Sequence, residues 1–127
     1  MSHILIVEDE QDVVAMLQFM LEKDGHSVST AANGVQALAI LGVQPPNPEA
    51  TLPALILMDI MMPELNGQET CLRLAGSPRT KAVPIIVLSG RCETRGALTK
   101  MPNVVAFLTK PFDPKKIRDI LAKTLPR

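Results

Sequence analysis

The chain has 127 residues, 46% of them hydrophobic and 20% charged, which is typical of one globular domain and excludes a disordered segment. A chain of this length buries roughly two thirds of its unfolded surface, so residues 1–127 are expected to form a single domain. No apolar run approaches the roughly 20 residues of a membrane span, and without tryptophan or tyrosine the chain is a poor candidate for binding nucleic-acid bases.

The formal net charge of zero is the sum of two unequal halves. Up to Leu72 the chain carries ten acidic residues and one basic residue, whereas from Arg73 onward it carries twelve basic and three acidic residues. A charge run is most often a solvated face. The alternative is an acidic cation site in the first half and a basic, partner-facing surface in the second.

Apolar runs and helical stripes alternate along the first half of the chain. The run Ile4 to Val7 predicts a strand, and the helical stripe that follows ends at Gly25. A weaker strand is expected at Ser27 to Ala31, with a turn at Asn33-Gly34 after it. The two helical stripes consist of Val13, Val14, Leu17 and Leu21, and of Val35, Leu38 and Leu41.

The second half repeats this alternation after a proline-rich stretch, Gln44 to Pro53, which we expect to run as an extended surface loop. A short fourth helix with weak periodicity is bracketed by Gly96 and Pro102. Asp113 is an N-cap before Pro114 and begins the last helix. Three more apolar runs predict strands at Leu55 to Met58, Ile85 to Leu88 and Val104 to Leu108, and the last helical stripe is Ile117, Ile120, Leu121 and Leu125.

Continuous apolar strands are typical of a parallel sheet that is covered by helices on both faces. The sequence therefore predicts the α/β class and a doubly wound sandwich. In such sheets ligands bind outside the carboxyl ends of the strands. Polar residues follow four of the five predicted strands at that edge: Glu8-Asp9, Asp59, Ser89-Gly90 and Lys110-Pro111.

Three carboxylates at one edge repel each other and are tolerated when a cation neutralises them. Oxygen ligands without histidine or cysteine favour a hard ion, and a partly hydrated site suits Mg²⁺. A carboxylate nucleophile, a metal and an opposing ammonium are what phosphoryl transfer requires. Asp59 is the natural nucleophile because its strand lies between the acidic pair and Lys110.

Four motifs spread over essentially the whole chain resemble the response-regulator receiver family. They are HILIVEDE, LILMDIMMPELNG, PIIVLSG and FLTKPF. The resemblance implies a flavodoxin-like fold, with a five-stranded sheet of order 2-1-3-4-5 and five flanking helices. It also implies that Asp59 is the phosphoacceptor, that Glu8 and Asp9 are the acidic pair, and that Asp59 and Met61 complete the Mg²⁺ site, Met61 through its carbonyl.

The resemblance assigns the remaining roles in the second half of the chain. Ser89 and Lys110 would each hold a phosphoryl oxygen, and Phe107 would change rotamer as Ser89 moves. Ser89 and Phe107 are variants of the commoner threonine and tyrosine, and Phe107 has no hydroxyl with which to bond a partner. Pro111 would follow a cis peptide bond.

The implied partners are a histidine kinase or histidine phosphotransfer protein, and a downstream protein that binds the face formed by the fourth predicted helix, fifth strand and fifth predicted helix. No nucleic acid, membrane or organic cofactor is expected.

The cysteines, Cys71 and Cys92, have no CxxC partner, and nothing resembling a signal peptide precedes Ile4, so reduced thiols in a cytoplasmic protein are expected.

Taken singly, each residue of the set has an ordinary explanation. Asp59 could cap a turn, Ser89 could cap a helix, and Lys110 could be a solvated charge. The joint occurrence of these residues in order favours the functional interpretation. The alternatives left open are a phosphorylation-independent interaction module, a receiver excised from a longer protein, and an aspartyl-phosphate hydrolase, which typically has a second acid where Met61 stands. We expect a signalling module that catalyses only its own aspartyl phosphorylation and dephosphorylation.

Overall fold

A computed structural model of the chain describes residues 2–59, 67–89, 103–109 and 113–125. These residues contain four helices and five strands. The strands are β1 (His3–Val7), β2 (Ser27–Ala31), β3 (Leu55–Asp59), β4 (Ile85–Ser89) and β5 (Val104–Thr109). The helices are α1 (Gln11–Lys23), α2 (Gly34–Ile40), α3 (Gly67–Ala75) and α4 (Pro114–Thr124).

Here α4 is the fifth helix that the sequence predicts. The expected fourth helix, between Gly96 and Pro102, lies outside the described residues. None of the helices in the described ranges is long and apolar enough to span a membrane.

The five strands form one parallel sheet of order β2-β1-β3-β4-β5, which confirms the predicted fold and strand order. β1 lies between β2 and β3, where Ile4 pairs with both Val28 and Leu55. Since the order reverses after β1, the carboxyl ends of β1 and β3 form the switch point at which this class of sheet binds ligands.

Alternate residues of each strand enter two separate cores, one on each face of the sheet. On one face Ile6 and Leu57 pack with Leu17 of α1 and Ile117 of α4. On the other face Leu5 packs with residues of α2 and α3, the partners being Ala37, Leu38, Cys71 and Leu74. Helices α1 and α4 therefore cover one face and helices α2 and α3 cover the other, as a doubly wound sandwich requires.

The predicted ends of α1 and α4 agree with the structure. Gly25 follows α1 with a φ of 92°, a conformation that glycine adopts without strain. At the start of α4, the carboxylate of Asp113 accepts a hydrogen bond from the Lys115 amide at 3.0 Å, and Pro114 occupies the first helical position.

The predictions around α2 were wrong in two respects. Asn33-Gly34 is not a turn after β2: the Asn33 side chain accepts a hydrogen bond from the Gln36 amide at 2.8 Å and begins the helix. Val35 is 51% exposed, whereas Gly34, Ala37 and Leu38 are buried. Leu38 and Leu41 of the predicted stripe are buried, so only Val35 was placed wrongly, with Gly34 and Ala37 buried in its stead.

The proline-rich stretch is folded back on itself rather than extended. Val43 and Pro46 form an antiparallel bridge, and the guanidinium of Arg79 donates hydrogen bonds to the carbonyls of Leu41 (2.9 Å), Pro48 (3.1 Å) and Ala50. Arg79 belongs to the connection between α3 and β4. Local sequence patterns give no indication of this contact because the partners are about thirty residues apart.

One glycine permits this fold of the loop. Gly42 has a φ of 74°, and a Cβ placed there would lie 2.3 Å from the carbonyl oxygen of Asn47. A larger residue would therefore both strain the backbone and collide with it.

Cys71 lies fully buried among the core residues of α3. Burial away from water raises the pKa of its thiol to about 12. The thiol is therefore protonated and unreactive at neutral pH. Cys92 lies outside the described residues.

Candidate functional site

Three carboxylates meet at the carboxyl edge of β1 and β3. Glu8 and Asp9 directly follow β1, and Asp59 is the last residue of β3. Because Val7 pairs with Met58, the next residues of the two strands, Glu8 and Asp59, lie side by side. The Glu8 amide also donates a hydrogen bond to the Ala31 carbonyl at 3.0 Å, which keeps Glu8 in line with the end of β2.

The geometry of this acidic cluster suits a single bound ion. One carboxylate oxygen from each of Glu8, Asp9 and Asp59 lies within 4.8 Å of the other two. Glu8 and Asp59 are only 1% and 2% exposed, while Asp9 is more accessible to solvent. The Glu10 amide donates a hydrogen bond to a Glu8 oxygen at 3.1 Å, which helps to orient that carboxylate.

Closely spaced carboxylates with little water around them repel each other strongly. All the donors are oxygen atoms and one of the three acids is open to solvent, so the cluster could hold a hard divalent cation that keeps part of its hydration shell. Asp59 is the last residue of the central strand β3 and is buried at this edge of the sheet.

The structure describes only some of the other predicted site residues. Asp59 pairs with Leu88, so the backbone of Ser89 at the end of β4 lies at the same edge of the sheet. Phe107 of β5 pairs with Val87 and packs, partly buried, against the core beneath α2 and α3. Met61, Lys110 and Pro111 lie outside the described residues. The roles assigned to these residues therefore stay predictions.

A polar cleft of about 110 Å³ opens beside Glu8, between the ends of β1 and β2. Gln11 and Gln36 line it, and sequence reasoning missed both residues. The Gln36 side chain accepts a hydrogen bond from the Ala32 amide at 2.9 Å. The spacing of Asn33 and Gln36, which resembles a capping box, was the signal that could have located this cleft.

Comparisons with known proteins agree with this geometry. The sequence profile of the family described as "Response regulator receiver domain" matches residues 4–122. Protein PilH of Pseudomonas aeruginosa is 35% identical over 98% of this chain and 95% of its own length. The transcriptional regulatory protein PhoP of Bacillus subtilis is 33% identical over 90% of this chain, but the match spans only 44% of that longer protein.

A solved structure has the same fold. The receiver domain of a Pseudomonas aeruginosa sensor histidine kinase superposes with a TM-score of 0.83 at 26% identity, covering 97% of this chain and 96% of that one. That protein was crystallised with a magnesium ion coordinated in its active-site cleft. With the sheet order, the acidic cluster and the family profile in agreement, this chain belongs to the response regulator receiver domain family.

Proposed function

We propose that Asp59 accepts a phosphoryl group from a histidine kinase or histidine phosphotransfer protein, and that this modification switches the binding of a downstream protein. The observation that carries the proposal is the buried carboxylate of Asp59, which lies within a 4.8 Å cluster with Glu8 and Asp9. A purely structural carboxylate would gain stability from a cation or hydrogen-bond donors, not from two further acids.

The residues of the cluster fit Mg²⁺, since they offer only oxygen ligands and one side of the site is open to water. We assign Asp9, Asp59 and the carbonyl of Met61 as its protein ligands, with Glu8 beside them. When bound, Mg²⁺ neutralises the carboxylates and the oxygens of a phosphoryl group.

In the proposed reaction an oxygen of the Asp59 carboxylate forms a bond to phosphorus. The bond between phosphorus and the donor breaks, and the donor leaves with the bonding electron pair. Ser89 and Lys110 are assigned to the phosphoryl oxygens on the strength of the motifs that contain them. We propose that the domain catalyses this step on itself and also its own dephosphorylation, in which a water oxygen bonds to phosphorus, the bond from phosphorus to the Asp59 oxygen breaks and inorganic phosphate leaves, and that it acts on no other substrate. Its cytoplasmic location stays a prediction.

We further propose that Ser89 and Phe107 change conformation on phosphorylation. The downstream protein then binds the face that includes β5 and α4. Phe107 is partly buried in β5, while Val105, two residues earlier on that strand, is 50% exposed. The exposed Lys115 and Lys116 at the start of α4 favour a downstream partner with an acidic surface. A phosphorylation-independent module would have no need for three carboxylates at one point, and the acidic cluster therefore argues against it.

Locating the phosphorylated residue on the wild-type chain tests the proposal. The protein is incubated with acetyl phosphate in millimolar Mg²⁺ or in EDTA, and the products are measured by intact mass and by peptide mass spectrometry. We expect one phosphoryl group with Mg²⁺, on the peptide that contains Asp59, and none in EDTA. Failure to gain the group, or its attachment to another residue, would refute the assignment.

We also expect Mg²⁺ to raise the melting temperature, because the ion relieves repulsion that the unfolded chain does not experience. At a concentration ten times the dissociation constant the gain is about 1.4 kcal/mol, which corresponds to several degrees for a domain of this size. For the same reason, Asp59→Asn should stabilise the metal-free protein. Glu49→Gln removes an acid in the exposed loop before β3 and should have no such effect. Thermal unfolding measures both effects, and a melting temperature that Mg²⁺ leaves unchanged would contradict the acidic site.

A further inference from the structure

A cleft of about 420 Å³ lies between the proline-rich loop before β3 and the connection from α3 to β4. It is at the amino-terminal end of these two strands, whereas the acidic cluster lies at the carboxyl ends of β1 and β3. Most of its wall is apolar, and its lining includes Val43, Pro46, Pro48, Ser77, Pro78 and Arg79. The acids of the phosphorylation site do not contribute to it, so a ligand of this cleft is independent of the proposed function.

The contacts around the cleft fix its shape. The guanidinium of Arg79 donates hydrogen bonds to three backbone carbonyls between Leu41 and Ala50, which tie the loop to the connection before β4. Within the loop, Val43 and Pro46 form an antiparallel bridge. Proline rings also have little conformational freedom to lose. A ligand that binds between these residues therefore orders little of the protein, which favours its affinity.

Arg79 brings a positive charge to the cleft. Among the described residues it forms no ion pair, its partners are neutral carbonyls, and a guanidinium has more N–H groups than these three bonds use. The exposed Lys81 follows two residues later, while Arg73 and Glu69 neutralise each other in an ion pair at 3.4 Å. The acid of the loop, Glu49, is exposed and is not among the residues that line the cleft. The cleft therefore favours a ligand that carries a carboxylate.

We infer that this cleft, which we name the proline cleft, binds an aromatic side chain of a partner protein, with a carboxylate of the partner beside the ring. Three exposed prolines border the cleft: Pro46, Pro48 and Pro78. Proline rings present rigid apolar surfaces that pack well against aromatic side chains, as they do when proline-rich segments bind aromatic-lined grooves. The guanidinium of Arg79 also attracts the face of an aromatic ring. An aromatic ring with an acid next to it thus matches both the apolar wall and the charge.

The openness of the proline cleft favours a side chain of a protein over a free small molecule. Small-molecule sites usually cover about 70–90% of the surface of their ligand. The proline cleft opens to solvent between residues that are themselves exposed. A side chain presented by a partner needs cover for its ring alone, because the surface of the partner shields the rest, and such aromatic anchors contribute much of the binding energy of interfaces.

Nuclear magnetic resonance of the full chain tests the inference with the peptide acetyl-Glu-Trp-Glu-amide. The peptide should shift the backbone amides of Val43, Asn47, Ser77 and Arg79 with a dissociation constant of about 1 mM, as expected if about 13 non-hydrogen atoms, those of the ring and one carboxylate, make the contacts. Replacing its tryptophan with alanine, or both glutamates with lysine, should weaken binding by about tenfold or more. Because the chain has no tryptophan or tyrosine, the fluorescence of the peptide gives a second measurement without background.

Two variants locate the binding. Ser77→Glu puts a negative charge at the cleft and should weaken binding of the acidic peptide by about tenfold or more. Thr51→Glu is the matched control, since Thr51 is exposed in the same loop but does not line the cleft, and the amide spectrum shows whether each variant is folded. Equal binding by Ser77→Glu and wild type, or by the lysine peptide and the acidic peptide, would overturn the inference. Free indole-3-propionate that binds about tenfold more tightly than the peptide would show instead a site for a small molecule and refute the protein partner.

Discussion

Replacing Asp59 with asparagine is expected to abolish phosphorylation completely. The substitution keeps the shape of the side chain but removes the anionic oxygen that would bond to phosphorus. Because Asp59 is one of three clustered acids, loss of its charge relieves repulsion, and the variant should remain folded. After incubation with acetyl phosphate and Mg²⁺, its intact mass should be unchanged while wild type gains one phosphoryl group.

Two further variants sharpen this experiment. Asp9→Asn keeps the nucleophile but weakens the proposed metal site, so phosphorylation should be slower. The loss of one charged ligand should raise the Mg²⁺ concentration that phosphorylation requires by about tenfold or more. Glu49→Gln removes an acid in the exposed loop before β3 and should behave like wild type. Phosphorylation of Asp59→Asn at the wild-type rate would mean that another residue is the acceptor.

Replacing Arg79 with methionine is expected to lower the free energy of unfolding by about 2–3 kcal/mol. The guanidinium donates hydrogen bonds to three backbone carbonyls, and such bonds from a charged donor contribute about 1.5–3 kcal/mol each before exposure is considered. Two of the contacts are partly buried, so their carbonyls lose a partner without gaining full hydration. Urea denaturation measures the loss, which corresponds to a fall of roughly 10 °C in melting temperature.

The matched control is Arg73→Met on α3. Arg73 is also an arginine, but its ion pair with Glu69 at 3.4 Å and its bond to the Gln44 side chain lie on the exposed surface. Contacts of that kind contribute about 0–1 kcal/mol. Arg79→Lys should recover little stability, because an ammonium group cannot reach three carbonyls with the geometry of a planar guanidinium. Equal losses from Arg73→Met and Arg79→Met would show that the loop contacts are not specific.

The sheet was predictable because its strands are continuous apolar runs. Ile4 to Val7 and Leu55 to Met58 have no polar residue that could face solvent, so both faces had to be covered by helices. The same property located Glu8 and Asp59, since a polar residue directly after such a run must lie at the edge of the sheet. Parallel register then brings the two carboxylates together.

The errors occurred where short-range patterns do not determine the structure. Leu38 and Leu41 were correctly placed in the core, but Gly34 and Ala37, which are also buried, give almost no periodic signal, so Val35 was wrongly placed inside. The loop before β3 depends on Arg79, whose three partners precede it by about thirty residues or more. A contact across that distance is a tertiary effect, and the prolines alone favoured an extended chain.

The loop that Arg79 holds lies at the amino-terminal end of β3, whereas Asp59 is the final residue of that strand. Five residues of extended chain, about 17 Å, separate the two ends. Substitutions at the exposed prolines Pro45, Pro46 and Pro48 can therefore change the outline of this end of the molecule while the acidic chemistry at the other end continues unaltered. The two ends of the domain can therefore be altered independently, because the buried strand β3 separates them.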